Sequence, residues 1–365
     1  MLLLFSIRMN MSQNKILDLY TDYLICTTGL ATATGLSASL DYHLSHDKVT
    51  RFLTKLKGDP KLLWAEVKPH VRKIENTGIG YLIIDDTIEE KPYTDQSELV
   101  NWHYSHSKHS QVKGVNILSA LIRYGDVALP IDYHLVTKSS SYIDKHGKTK
   151  YKSDINKNEA ARSFIARAKS NQIKFEYVLA DIWFSSSENM DYIHTIGKKF
   201  IFGCKTNRLI RFDKIWHRLG HLPLADGQVI HCYIKDVDFP VVITKKEFIN
   251  EDLSTGELYL ISNDLNLSGT EIYEIYQKRW IIEEYHKSIK QNASLAKSPT
   301  KTSKTQANHI VCSMLAFVKL ELLKIRSGIN HFALKNMLFI NATKAAIEQL
   351  QKFKLMQNWQ NIQPC

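Results

Sequence analysis

The segment GYLIIDDT, residues 80–87, is a short apolar run rich in branched side chains that closes on two adjacent acids. Such a run predicts a buried strand with carboxylates at its mouth. Side chains alternate across a strand, so Asp85 and Asp86 face opposite sides of whatever sheet they join. Downstream, GVNILSALIRYGDVALPIDYHLV (114–136) reads as a hairpin turning at Tyr124-Gly125-Asp126, which gives three strands before any helix. A helical stretch at about 157–171 then leads to EYVLADIWF (176–184), a second apolar strand ending in an acid, and to a helix near Ser187–Ile196. Strand–helix alternation predicts a parallel partner for a sheet that opens as an antiparallel meander.

On the N-terminal side, Lys15 to about Asn76 carries apolar residues at three- and four-residue spacing, the pattern of a small helical region. Within it, SLDYHLSHDKVTRFLTKLK (39–57) offers a turn at Leu44-Ser45-His46 and then a helix presenting Lys48 and Arg51. That is the layout of the second helix of a helix-turn-helix, and equally of a basic solvated face. On the C-terminal side, 138–157 is polar, basic and aperiodic and reads as a loop. Across 138–174 ten residues are basic and three acidic. From about Phe200 to Glu257 short alternating runs punctuated by Gly, Pro and Asp predict a β-rich insertion. LYLISND (258–264) returns as a strand, and Ser268 with Glu271 makes a capping box opening a helix to about Gln291. After a Lys/Thr/Ser-rich loop at 297–306 the chain is apolar and helical to about Phe353.

The 365 residues carry a net charge of +11 and 44% hydrophobic residues, which excludes a disordered or collagen-like chain and points to a polyanionic partner. Five cysteines, scattered and odd in number, argue against a disulfide framework or a CxxC zinc site and favour a reducing cytoplasmic setting. The opening MLLLFSIRMNMSQNK has only a short apolar run and no small-residue cleavage site, so it is not read as a signal peptide, and no stretch reaches the length of a membrane span. His103, His106 and His109 recur every third residue, but no cysteine or acidic cluster accompanies them. The segment reads as a basic, hydroxyl-rich loop rather than a metal site.

The helix from Ser268 contains Tyr276, Arg279, Glu283 and Lys290 at offsets 0, 3, 7 and 14, which at about 100° per residue fall on one narrow face. Ile275, Ile282 and Ile289 form a separate core stripe, leaving the polar face free to line a cleft. The plain structural reading is an exposed i,i+4 pair between Arg279 and Glu283.

The Y-(2)-R-(3)-E-(6)-K spacing resembles the signature of DDE transposases of the IS-four insertion-sequence family. The similarity extends from about Gly80 to Lys290 and, more loosely, into TKTSKTQANHIVCSMLAFVKLE (300–321). It implies an α/β, ribonuclease-H-like mixed sheet with flanking helices and a β-rich insertion before the last core strand and helix. The corresponding division is 1–76, a helical DNA-binding region; 77–205, the first part of the catalytic core; 206–257, the insertion; 258–295, the last core strand and signature helix; and 296–365, a C-terminal helical region. In the family an aspartate followed by threonine ends the first strand, which selects Asp86 before Thr87; the second aspartate is Asp181 and the third acid Glu283. These three imply a cage for two Mg²⁺ ions, with Mn²⁺ able to substitute, because hard cations prefer carboxylate oxygens. Tyr276, Arg279 and Lys290 resemble residues that grip the DNA backbone, and Trp216 is the candidate for stacking a flipped base. Trp183 and Trp280 read as core residues instead. The resemblance further implies cut-and-paste transposition through DNA hairpins, terminal inverted repeats and target DNA as partners, a homodimer, no membrane, and a cytoplasmic, nucleoid-associated setting. Two alternatives stand beside it: an inactive DNA-binding remnant that represses the element, and a ribonuclease-H-like repair nuclease or resolvase.

Overall fold

The computed structural model describes residues 12–105, 108–145 and 147–356, so the opening apolar run and His106 lie outside the described residues. Four helices come first: α1 (Gln13–Cys26), α2 (Ala33–Ser39), α3 (His46–Lys55) and α4 (Pro60–Ile74). Side chains of Ser12, Thr32 and Asp59 accept from backbone N–H groups of the first turns of α1, α2 and α4, satisfying donors that have no helical partner. In α3, Val49, Phe52 and Leu53 point inward while Arg51 and Lys55 face solvent and Lys48 is half-buried.

The chain then enters the sheet through β1 (Gly80–Glu90), β2 (Asn101–Ser105), β3 (Ser110–Tyr124) and β4 (Val127–Leu135). β3 is long enough that β1 lies along one edge while β2 and β4 share the other in succession. Gly125, at φ +56°, makes the tight β3–β4 turn at the position expected for the hairpin. After β5 (Ser140–Ile143), β6 (Thr149–Lys152) and α5 (Lys157–Ser170) come β7 (Tyr177–Ala180), α6 (Ser187–Thr195) and β8 (Lys199–Cys204). β7 runs parallel to both β1 and β8. The central order β4-β3-β1-β7-β8, an antiparallel meander joined to parallel strands, is a ribonuclease-H-like mixed sheet.

Two segments read as loops are strands. Ser140–Ile143 and Thr149–Lys152 pair as an antiparallel two-stranded sheet, β5 with β6, whose polar side chains are nearly all exposed; with neither face buried, the apolar alternation of a strand is missing. Asn101–Ser105 is the edge strand β2, where His103 is buried between exposed Trp102 and Tyr104.

The strands β9 (Leu209–Phe212), β10 (Ile215–Arg218), β11 (Val229–Ile234), β12 (Val241–Ile249) and β13 (Thr255–Ser262) extend the same sheet beyond β8 in the order β13-β12-β11-β9-β10. The rest is helical: α7 (Gly269–Gln277), α8 (Ile281–Gln291), α9 (Ser303–Ser327) and α10 (His331–Met356). α9 is buried along most of its length and is tied to the N-terminal helices. His309 Nδ1 is 2.9 Å from the Tyr20 hydroxyl, and Asn308 Nδ2 donates to the carbonyls of Leu53 and Leu56. Among the described residues no helix is long and apolar enough to cross a membrane.

Candidate active site

The site begins with strand register. Ile84 pairs with Ala180 as the last pair between parallel β1 and β7, so the residues that follow, Asp85 in mid-β1 and Asp181 just past the end of β7, emerge side by side where that pairing stops, while β1, expected to end at its two acids, runs on to Glu90. β7 stops there because the Asp181 carboxylate turns to accept from Trp183 N–H at 2.9 Å and caps a short 3-10 turn, Ile182–Phe184.

The third acid arrives on α8. The expected continuous helix from Ser268 is present with its capping box, but at Lys278–Trp280 it tightens into one 3-10 turn between α7 and α8. That turn carries Arg279 inward until it is only 8% exposed. Its Nη1 donates to Asp85 Oδ2 at 2.9 Å and reaches Glu283 Oε1 at 3.5 Å, while its Nε is buried without a partner. Glu283 itself is exposed at the cleft. Tyr276 is buried beneath the guanidinium, 5.6 Å from ring centroid to Arg279 Cζ. At the far end Lys290 Nζ donates to Thr87 Oγ1 and to the Ile88 carbonyl, both at 2.8 Å, fastening α8 across β1.

Burial is the main force that raises the Asp85 carboxyl to about 8; the charges of Asp181, Glu283 and Asp86 add to it, and Arg279 opposes it. Burial likewise raises Asp181, partly offset by the Trp183 N–H and Arg279. His286, one turn after Glu283, is driven down to about 3 chiefly by burial and is therefore a neutral imidazole at pH 7.

The placement differs from expectation at the first acid. Asp86 and Asp85 do face opposite sides of the sheet, but it is Asp85 that lies on the side of α8. Asp86 points to the α5 side, where its Oδ2 accepts from Lys157 Nζ at 2.7 Å and Asn116 Nδ2 at 2.8 Å. A D-T match identifies a position in a sequence and carries no information about which face a helix will cover. Arg279 and Tyr276, expected on an open polar face, are largely enclosed. Trp183 and Trp280, expected in the core, are 49% and 60% exposed. Trp216 is exposed on β10, with Arg211 Cζ 5.8 Å from its ring centroid. Lys48 and Arg51 belong to α3, which packs chiefly on α1, α2 and α9 rather than on the sheet.

His286 is the residue that sequence reasoning missed. Ligand atoms of Asp85, Glu283 and His286 lie within 4.8 Å of one another, and His286 Nε2 is buried without a hydrogen-bond partner. The Glu283-x-x-His286 spacing was the available signal, since residues three apart share a helix face. Carboxylates destabilised by burial and mutual repulsion, together with an unpartnered neutral nitrogen, are the donor set that a divalent cation would satisfy.

A family model described as "DDE superfamily endonuclease" matches residues 5–223. The match takes in both aspartate-bearing strands and ends before α8. No curated protein matches the chain.

Proposed function

The chain belongs to the DDE superfamily endonucleases, and on that premise we propose that it is the transposase of an insertion sequence, of IS-four type, moving DNA by cut-and-paste transfer through hairpin ends. The observation that carries this reading is the meeting of Asp85 and Asp181, where the pairing of β1 with β7 stops, with Arg279 and Glu283 of the Tyr276–Lys290 signature. Asp85, Asp181 and Glu283 would hold the divalent metal that DDE nucleases use, Mg²⁺ in this reading; when bound, it stabilises charge on the attacking and leaving oxygens of a phosphodiester.

The protein's own groups set the rest. Burial keeps the proton on Asp85 up to about 8 and pushes the Asp181 carboxyl upward as well, so positive charge entering the site favours the ionised acids. Arg279 holds Asp85 Oδ2 in the metal-free protein and presents a fork suited to a DNA phosphate once that bond is exchanged. Lys290 fixes α8 to β1 and so holds Glu283 in phase with Asp85. Exposed Trp216, and Lys48 and Arg51 on the N-terminal helices, are read as contacts to the flipped base and to flanking DNA. Two subunits would pair two inverted-repeat ends.

The test is incubation of the full chain with Mg²⁺ or Mn²⁺ and DNA carrying the element's terminal inverted repeat. Hairpin-ended excision products are expected. Specific binding without cleavage would identify an inactive repressor instead, and cleavage regardless of end sequence would identify a repair-type nuclease.

A further inference from the structure

His286 is 5% exposed, sits on the inner face of α8, and keeps its Nε2 buried with no hydrogen-bond partner. Buried polar atoms without partners are rare enough that each calls for an explanation. Here the explanation is next to it: a ring nitrogen of His286 and carboxylate oxygens of Asp85 and Glu283 come within 4.8 Å of one another. The imidazole lies beside the Tyr285 ring, with centroids 5.4 Å apart and planes tilted by 49°, and that contact supplies no hydrogen bond to Nε2. The histidine is not part of the four-residue signature on the same helix.

We propose that His286 is a nitrogen ligand to the divalent cation held by Asp85 and Glu283, so that the site binds Mn²⁺ in preference to Mg²⁺. This rests on the reading of the acids as a metal cage. Mg²⁺ takes oxygen ligands and gives up water reluctantly, whereas imidazole nitrogen suits first-row transition ions. A cage with one nitrogen among its oxygens therefore favours Mn²⁺.

Pulsed electron paramagnetic resonance on the full chain loaded with Mn²⁺ reads the ligand directly. The wild-type protein is expected to show coupling to a directly bound imidazole nitrogen, and labelling histidine with ¹⁵N is expected to change that coupling, with no substitution needed. In folded His286→Gln the coupling disappears, Mn²⁺ affinity falls by about tenfold or more, and Mg²⁺ affinity changes much less. Mn²⁺ binding that depends on Asp85 and Glu283 but shows no nitrogen coupling overturns the proposal and leaves the metal cage standing. Coupling that persists in His286→Gln also overturns it. Mn²⁺ binding indifferent to Asp85→Asn and Glu283→Gln overturns the cage and the proposal together.

Discussion

Arg279 Nη1 lies 2.9 Å from Asp85 Oδ2, joining α8's approach to the first strand of the sheet, with both side chains about 10% exposed. The guanidinium supplies the positive charge among the acids of the metal-free protein. Arg279→Ala removes that bond from a carboxyl that already holds its proton near pH 7, so we expect a loss of about 1–3 kcal/mol there. The loss should grow above pH 8, where Asp85 would otherwise ionise. Urea denaturation at two pH values, with chelator present, measures both.

Asp85→Asn is expected to abolish metal binding and to slow cleavage on the order of 10³-fold or more, equivalent to about 4 kcal/mol of transition-state stabilisation. Asp86→Asn, on the Lys157 side of the sheet, should leave metal affinity within about tenfold, less than about 1.4 kcal/mol. Calorimetric titration with Mn²⁺ separates them. The opposite ranking would return the first-acid role to Asp86.

The pH dependence of the metal-free protein follows from Asp85. Its folded pKa, about 8, lies above the ordinary 3.8, so the folded state holds the proton more tightly than the unfolded chain. The resulting contribution is fully present below about pH 4 and is lost as pH rises through about 8. Asp181 shifts in the same direction. Melting temperature in chelator should therefore fall between pH 5 and 8.5, and the fall should shrink in Asp85→Asn. Saturating divalent cation should remove it, because the ion takes the proton's place.

DNA affinity should depend steeply on salt, dropping on the order of 10³-fold between 50 and 200 mM for six or more phosphate contacts. Three exposed lysines of the β5–β6 hairpin, Lys145, Lys148 and Lys152, are candidates for three of them, while the fourth, Lys150, is paired with Asp144. Replacing all three by Gln should lower the slope of log affinity against log salt by about 2.7. An unchanged slope would make the hairpin a plain solvated surface.

Much of the architecture was legible because apolar runs and their turn residues are local. Gly125 marks the β3–β4 turn, and the two apolar runs followed by acids fall in β1 and β7, although β1 continues past its acids to Glu90. What sequence left open is what long-range packing decides. Alternation separates Asp85 from Asp86 but does not say which side α8 covers. The β5–β6 hairpin escaped because neither of its faces is buried, and β2 because five residues with two outward aromatics carry little pattern. Arg279 was placed on an open face by a uniform 100° wheel. The 3-10 turn at 278–280 advances each residue by about 120° instead, and carries the guanidinium inward.

That turn joins two helices anchored independently. At the start of α7, a Cβ on Gly269 would come 2.1 Å from the Gly227 carbonyl, so the helix sits directly on backbone there. At the end of α8, Lys335 Nζ donates to the Gln291 carbonyl and Lys290 is bound to β1. With both ends pinned, gaining or losing one residue between Tyr276 and Lys290 would turn Glu283 or Lys290 by about 100° relative to its anchor. The exposed tips at Asp213–Lys214 and 251–254 have no such constraint. Across natural variants, insertions and deletions should collect at those hairpin tips and be missing from 276–290, a pattern of length that reports on the site independently of which residues are retained.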